Sequence, residues 1–261
     1  MKKTAKLKEI DLYFMKRTSS LNQLRYYIVG FFMFLSCSMI AQRMQTVKDY
    51  DGNVYHTIKI GDQIWMVENL KTTHFRNGKS IPNVKDNNDW TALTTPAYCT
   101  YQNKPENKDK FGLLYNFYAV CDSTNILAPA GWHVASNEDW KVLQNYLIKG
   151  RFNFDKSTDG AKFGKALAAK TDWIITKDEF GGAVGDDLSK NNATGFTALP
   201  AGYRYDGGVF YDMGCSAYWW TSTENKASVA WYKSMRCDYW GLFTFRDVKT
   251  EGFSVRCVKD K

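Results

Sequence analysis

The sequence has few of the side chains from which metal sites are usually built. It contains three histidines, His56, His74 and His133, which lie far apart in the chain. No two cysteines form a C-x-x-C pair, whereas zinc sites usually show close ligand pairs of that kind. We therefore expect no metal cluster and no cofactor.

Recognisable catalytic motifs are also missing. The sequence has no Gly-x-Ser-x-Gly nucleophile turn, and no glycine-rich phosphate loop precedes a capped helix. Acidic residues occur in the second half of the chain, but their spacing is typical of solvated loops. They are Asp186, Asp187, Asp206, Asp212 and Asp238. We predict that the protein is not an enzyme.

A clustered basic face, as in nucleic-acid-binding proteins, is absent. The formal net charge is +8, but residues 1–42 hold seven Lys/Arg and two Asp/Glu, a net of +5. The remaining +3 comes from scattered lysines and arginines that are not interleaved with aromatics. This distribution excludes nucleic acid as a predicted partner.

The amino terminus has the pattern of a secretory signal. Residues 1–25 are polar and basic, and residues 26–41 are apolar but shorter than the roughly 20 residues of a membrane span. We predict a signal peptide over residues 1–42, with Met15 as the possible true start. An uncleaved anchor is the alternative, and lipidation at Cys37 is a second possible membrane link.

The rest of the chain indicates one domain with long loops. Residues 43–53 form a short polar lead, and no linker rich in proline, serine or glycine divides residues 54–260. Val54–Ile60 and Gln63–Val67 flank a Gly-Asp turn, which predicts a hairpin with Val54, His56, Ile58 and Ile60 on one face. Residues 70–110 are polar and irregular.

The clearest helix signal begins at Ser136. Its hydroxyl can cap free amides, Asp139 favours the positive helix end, and Trp140, Leu143 and Leu147 share one face. Gly150 is expected to end the helix in a left-handed conformation.

A weaker helix is predicted over residues 161–169. The tail is predicted to form a strand with Phe253, Val255 and Cys257 on one buried face.

Four ordered motifs carry a family resemblance. They are residues 114–136 with the step Gly131-Trp132-His133, residues 195–203, residues 218–225 and residues 252–260. Together they resemble the Fibrobacter succinogenes major paralogous domain, a family of secreted bacterial surface domains. We expect His133 to be a structural hydrogen-bonding residue at the helix entrance.

The resemblance implies an α+β fold with a C-type-lectin-like plan: short, mostly antiparallel strands, one or two helices and long loops. The tail also resembles sulfatase-modifying-factor domains, but the closely spaced cysteine pair of the formylglycine-generating enzymes is missing, since Cys237 and Cys257 are far apart. The Glu-Pro-Asn or Gln-Pro-Asp loop and the Trp-Asn-Asp strand of calcium-dependent lectins do not occur either.

Five cysteines follow the leader, and export permits disulfides between them. Some family members have a cysteine at the position of Ala128, and here Cys121 can substitute for it. We predict the pairs Cys121–Cys257 and Cys215–Cys237, although spacing alone does not fix the pairing.

Aromatic residues are the candidate binding groups, because tryptophan and tyrosine dominate interface energetics. The candidate aromatic surface also includes Trp220, Trp231 and Tyr232, of which Trp220 and Trp231 are expected to be mainly core. Asp206-Gly207-Gly208 predicts a turn that presents Tyr205 and Phe210 together. The ligand-binding candidates are Tyr203, Tyr205, Phe210, Tyr211, Trp219, Tyr239 and Trp240.

The sequence thus predicts an exported protein of the cell surface that acts by adhesion or ligand capture, with a glycan or a surface protein as partner. A structural subunit of a surface assembly is the alternative. An enzyme of the sulfatase-modifying type is the third class.

Overall fold

The computed structural model describes residues 45–261, and the predictions on the leader, its start and Cys37 lie outside this range. The strands are β1 Thr46–Lys48, β2 Val54–Ile60, β3 Gln63–Met66, β4 Tyr98–Cys99, β5 Leu114–Tyr115, β6 Trp132–Val134, β7 Tyr203–Arg204, β8 Phe210–Tyr211, β9 Ser216–Lys226, β10 Val229–Arg236, β11 Phe243–Val248 and β12 Cys257–Lys259. The α-helices are α1 Asn87–Thr91, α2 Asn107–Phe111, α3 Phe117–Val120, α4 Asn137–Lys149 and α5 Gly164–Leu167, and short 3₁₀ turns cover Tyr101–Asn103 and Leu188–Lys190. None of these helices has the length and apolar character needed to cross a membrane.

The fold is α+β and its strands pair mainly in antiparallel fashion. One sheet has five strands in the order β1-β2-β3-β12-β6, so the C-terminal strand lies in its interior. A second sheet is the three-stranded meander β11-β10-β9, and two small hairpin-like pairs, β4-β5 and β7-β8, complete the set. The predicted lead contributes β1, because Thr46 pairs with His56 and Lys48 with Val54.

The predicted β2–β3 hairpin is present, and the face of β2 that is buried changes along the strand, since Ile60 is buried and Lys59 is exposed. Gly61 has a φ of +63° at the turn, the region that glycine adopts without strain. Val54 and His56 are exposed, whereas Tyr55 and Thr57 are buried. Tyr55 donates to Asp49 at 2.5 Å, so the face toward the lead residues is covered in this half of the strand.

The five-stranded sheet has a hydrophobic core on each side. Trp65 and Val258 belong to one core, while their neighbours Met66 and Cys257 belong to the other. Neighbouring residues in a strand point to opposite faces, so the sheet is covered twice. The prediction of a tail with one buried face is therefore wrong: residues 251–258 are buried throughout.

Helix α4 follows from its local sequence. Ser136 and Asp139 form a reciprocal capping box, and Trp140, Leu143 and Leu147 are buried. Gly150 ends the helix with a φ of −77° and not in the predicted left-handed conformation. The weaker predicted helix shortens to α5, Gly164–Leu167.

The tail motif is explained by a buried arginine. Arg256 donates to the main-chain oxygens of Met66 and Phe196 and to the Asn69 side chain at 2.9–3.2 Å. Its guanidinium also lies 4.4 Å from the ring centroid of Phe196. Because these partners come from two segments that are distant from Arg256 in the chain, Arg256 holds both segments to the tail, and such charge-assisted bonds are stronger than neutral ones.

Only one of the two predicted disulfides is present in the described chain. Cys215 and Cys237 are bonded, as predicted. The pair Cys121–Cys257 is wrong: Cys257 lies opposite Val134 with its side chain in a core, whereas Cys121 is exposed directly after α3. Strand pairing therefore fixes Cys257 in the interior, away from the surface position of Cys121.

Candidate functional site

The seven predicted binding residues differ widely in exposure. Tyr205, Tyr211 and Tyr239 are 45%, 44% and 37% exposed. Tyr203, Phe210 and Trp240 are half-buried, and Trp219 is fully buried.

Trp219 belongs to the core and not to a binding surface. Its indole nitrogen donates to the Asn69 side chain at 2.9 Å, and its ring lies 5.7 Å from that of Trp140. Trp220, on the opposite face of β9, is also fully buried and contacts Phe117, as predicted for a core residue. Trp231, predicted as core, is half-buried. Both faces of this part of β9 are covered, so strand alternation did not bring Trp219 to the surface.

The predicted turn at residues 206–208 joins β7 to β8. Tyr203 pairs with Tyr211 in the hairpin, and the ring of Tyr205 lies 6.2 Å from that of Tyr211. Phe210 points to the other face, where its ring lies 5.3 Å from that of Tyr101. The turn therefore presents Tyr205 with Tyr211, and the predicted pairing with Phe210 is wrong.

A continuous line of aromatic rings connects this hairpin to the Tyr239-Trp240 pair. The line crosses the three-stranded sheet through residues that alternate on β9, β10 and β11, and every member is exposed or half-buried. We call it the aromatic ribbon; its members, in spatial order, are Tyr205, Tyr211, Tyr203, Tyr218, Tyr232, Phe245, Phe243, Tyr239 and Trp240. Consecutive ring centroids are 4.5–6.2 Å apart.

Sequence reasoning missed Tyr218, Phe243 and Phe245 as members of this ribbon. Phe243 and Phe245 alternate with Thr244 and Arg246 in a run that reads as a strand, which places both rings on one face. The alternation was a usable signal. The order of the sheet, which brings β11 beside β10 and β9, was not readable from it.

Three carboxyl groups lie beside the middle of the aromatic ribbon. Glu251 is 1% exposed, and its Oε1 accepts from the main-chain N–H of Asp206 at 3.2 Å. Burial, aided by the nearby Asp247 carboxylate, raises the pKa of Glu251 to about 8. Burial also raises the pKa of Asp247. Two phenols lie near these groups. Gly252, next to Glu251, pairs with Arg204, next to Tyr203, and Asp247 lies two residues after Phe245, the β11 partner of Tyr232. Burial first, and then nearby carboxylates that include Glu251 and Asp247, raise the pKa values of Tyr203 and Tyr232 to about 12.

A separate cavity of about 370 Å³ lies on another part of the surface. Its lining includes Cys121, His133 and Glu224. Both ring nitrogens of His133 are engaged, with Asp260 at 2.7 Å and Asp139 at 3.0 Å. Although Cys121 is an exposed residue, partial burial of its sulfur raises the pKa of the thiol, which disfavours the nucleophilic thiolate. The cavity thus lacks an activated cysteine with a free histidine base.

One group in residues 45–261 has ligand atoms close enough for a metal ion, namely Cys215, Cys237 and Asp238. The two sulfurs are bonded to each other, and Asp238 accepts from the Arg236 guanidinium at 3.0 and 3.1 Å. These atoms are already committed to other bonds, so the group does not fit a metal.

Residues 58–259 match the family model described as the Fibrobacter succinogenes major domain. The match covers most of the chain, and the protein therefore belongs to this family. No curated protein and no solved structure gives a significant match to the chain.

Proposed function

We propose that this protein is an exported cell-surface binding protein whose aromatic ribbon captures a glycan. The continuous line of partly exposed rings is the observation that carries the proposal. Aromatic faces combine a large apolar contact area with restricted side-chain entropy, and they are the groups that anchor ligands and partners.

Polar groups beside the rings suit a ligand with many hydroxyls. The Tyr218 phenol donates to Asp212 at 2.8 Å, and further phenols and carboxyls flank the same rings. Binding sites typically combine apolar or aromatic contact with a few polar groups that fix orientation. A sugar offers both an apolar ring face and hydroxyls that match this combination.

We include in the same proposal a C-type-lectin-like fold and export of the protein to the cell surface. A C-type-lectin-like plan agrees with the mixed α+β sheets and long loops. Export agrees with the Cys215–Cys237 disulfide, since such bonds persist in oxidising compartments. The leader is residues 1–42 under this proposal, with lipidation at Cys37 as a variant.

A sulfatase-modifying activity fits this chain less well. The cysteine chemistry of such an enzyme needs accessible sulfurs near the C-terminus. Here Cys237 is bonded to Cys215, and burial raises the pKa of Cys257 to about 12. Neither sulfur is therefore available as a reactive thiolate, which favours a binding role over this enzymatic one.

A glycan array tests the proposal directly. The purified domain is expected to bind a defined subset of glycans, and Tyr205→Ala is expected to lose those signals. Tyr50→Ala is the matched control, because Tyr50 is 60% exposed and lies outside the aromatic ribbon. An array without signal, or equal loss in both variants, would contradict the proposal.

A further inference from the structure

The carboxyl groups beside the aromatic ribbon form an acidic cluster without a neighbouring cation. Asp206 lies in the β7–β8 loop, Asp247 on β11 and Glu251 between β11 and β12. In residues 45–261, no Lys, Arg or His forms an ion pair with any of the three. By contrast, the nearby Glu224 is paired with Lys249.

Glu251 carries an unsatisfied polar atom at this position. Its Oε2 is buried and has no hydrogen-bond partner, although Oε1 is bonded to the Asp206 amide. Leaving a buried polar group unpaired is unfavourable. Such a group calls for an explanation, and an absent partner such as a bound cation is one.

Two half-buried tyrosine rings lie beside the same carboxyls. The rings of Tyr203 and Tyr232 are each in contact with Phe253, two residues after Glu251, at 5.8 and 4.7 Å between centroids. Phe245, two residues before Asp247, pairs with Tyr232. Aromatic faces carry partial negative charge and attract cations positioned over them. The rings and the carboxylates therefore both favour a positively charged group in a ligand.

An organic cation fits this arrangement better than a divalent metal ion. Calcium and magnesium need several oxygen ligands that converge on one ion. Within residues 45–261, Asp206, Asp247 and Glu251 are not among the groups whose ligand atoms lie close enough together for one metal ion. An ammonium group has modest geometric demands and can bond one carboxylate while it contacts an aromatic ring.

We propose that the middle of the aromatic ribbon, at Glu251, Asp247 and the rings of Tyr203 and Tyr232, is a subsite for a primary ammonium group of the ligand. This subsite rests on the proposed function and narrows it, since the glycan that supplies such a group is an amino sugar. The ammonium is neutralised by Asp247 and lies next to Glu251, whose Oε2 has no other partner. The flanking rings of the ribbon contact the rest of the ligand.

Two oligosaccharides that differ only in charge test the subsite. The glucosamine tetramer carries an ammonium on each sugar, and the N-acetylglucosamine tetramer is its neutral counterpart. Calorimetric titration at low salt is expected to show at least tenfold tighter binding of the glucosamine tetramer. The preference is expected to disappear in Glu251→Gln and in Asp247→Asn.

Matched variants separate a local effect from unfolding and from general charge. Asp109→Asn removes an acidic side chain that is 90% exposed and paired only with Lys71, so it is expected to keep the preference. Glu251→Gln retains the shape of the side chain, and its melting temperature is expected to equal or exceed that of the wild type. If Asp109→Asn lowers binding as strongly as Asp247→Asn, the preference reflects net charge, and the subsite is refuted.

The outcomes distinguish the subsite from the glycan proposal. Equal binding of the two tetramers, with loss of both in Tyr205→Ala, refutes the subsite and leaves glycan capture standing. Binding of a lysine-rich peptide that depends on Glu251, without binding of either tetramer, supports the cation subsite and refutes the glycan. If neither the glucosamine tetramer nor the peptide binds, the subsite is refuted.

Discussion

Replacement of Trp219 by alanine is the sharpest test of where the core ends and the binding surface begins. Trp219 is fully buried, its indole donates to Asn69, and its ring contacts Trp140 and Phe196 at 5.7 and 6.3 Å. Removal of a buried tryptophan lowers the free energy of unfolding by about 3–5 kcal/mol. We expect the middle of that range, because Asn69 keeps its bonds to Arg256.

The expected loss translates into a clear change in melting temperature. For a domain of this size, 1 kcal/mol lowers the melting temperature by about 2–4 °C, so Trp219→Ala is expected to lower it by about 8–16 °C. Trp220→Ala is expected to fall in the same range, whereas the exposed Tyr205→Ala is expected to change the unfolding free energy by less than about 1 kcal/mol. Thermal and urea melts followed by circular dichroism measure all three. A melting temperature for Trp219→Ala within the error of the wild type would refute its assignment to the core.

Three further predictions concern processing, the disulfide and pH. N-terminal sequencing of the native protein is expected to begin after the leader; a native start at Met1 or Met15 would contradict export with cleavage. Mass mapping of the oxidised protein is expected to find the bridge Cys215–Cys237, and five free thiols would contradict it. Loss of the bridge in the double serine variant is expected to destabilise the domain by about 2–4 kcal/mol. Hydrogen bonds that the His133 ring donates to Asp139 and Asp260 raise the pKa of His133 to about 8 from 6.5, so its stabilising effect is full below pH 6.5 and is lost as the pH rises through 8. Because the side chain is 42% exposed, we expect less than about 1 kcal/mol, seen as a stability gap between wild type and His133→Gln at pH 6 that closes at pH 9; a gap that persists at pH 9 would refute this.

Elements with local causes could be predicted from the sequence. Helix α4 depends on Ser136, Asp139 and a repeat of apolar residues, all within a few turns of chain. The β2–β3 hairpin depends on a glycine at a position of positive φ. In both cases residues that are close in sequence determine the backbone conformation, so no contact between distant segments has to be known in advance.

Features that depend on distant segments could not be predicted. Alternation along β9 separates Trp219 from Trp220, but only the tertiary fold shows that Phe117 covers one face and Trp140 the other. Arg204 and Arg256 are buried because main-chain oxygens from remote loops surround their guanidinium groups. Composition alone would place such arginines at the surface.

The sequence predicted the residues at the two ends of the aromatic ribbon but not most of the rings in its middle. Turn residues marked the exposed hairpin with Tyr205 and the Tyr239-Trp240 pair. The rings that join them lie on strands whose order in the sheet is set by tertiary contacts. Glu251 gave no sequence signal, because an isolated acidic residue in a tail is ordinarily solvated.

Calorimetric titration of one array-identified glycan into wild type, Tyr205→Ala, Trp240→Ala and Tyr50→Ala tests the central claim most directly. Tyr205 and Trp240 lie at opposite ends of the aromatic ribbon, so a ligand that spans it contacts both. We predict that Tyr205→Ala and Trp240→Ala each weaken binding by about 1 kcal/mol or more with the fold intact, and that Tyr50→Ala binds as the wild type does. Unchanged affinity in both ribbon variants would contradict the assignment of the ribbon as the binding surface.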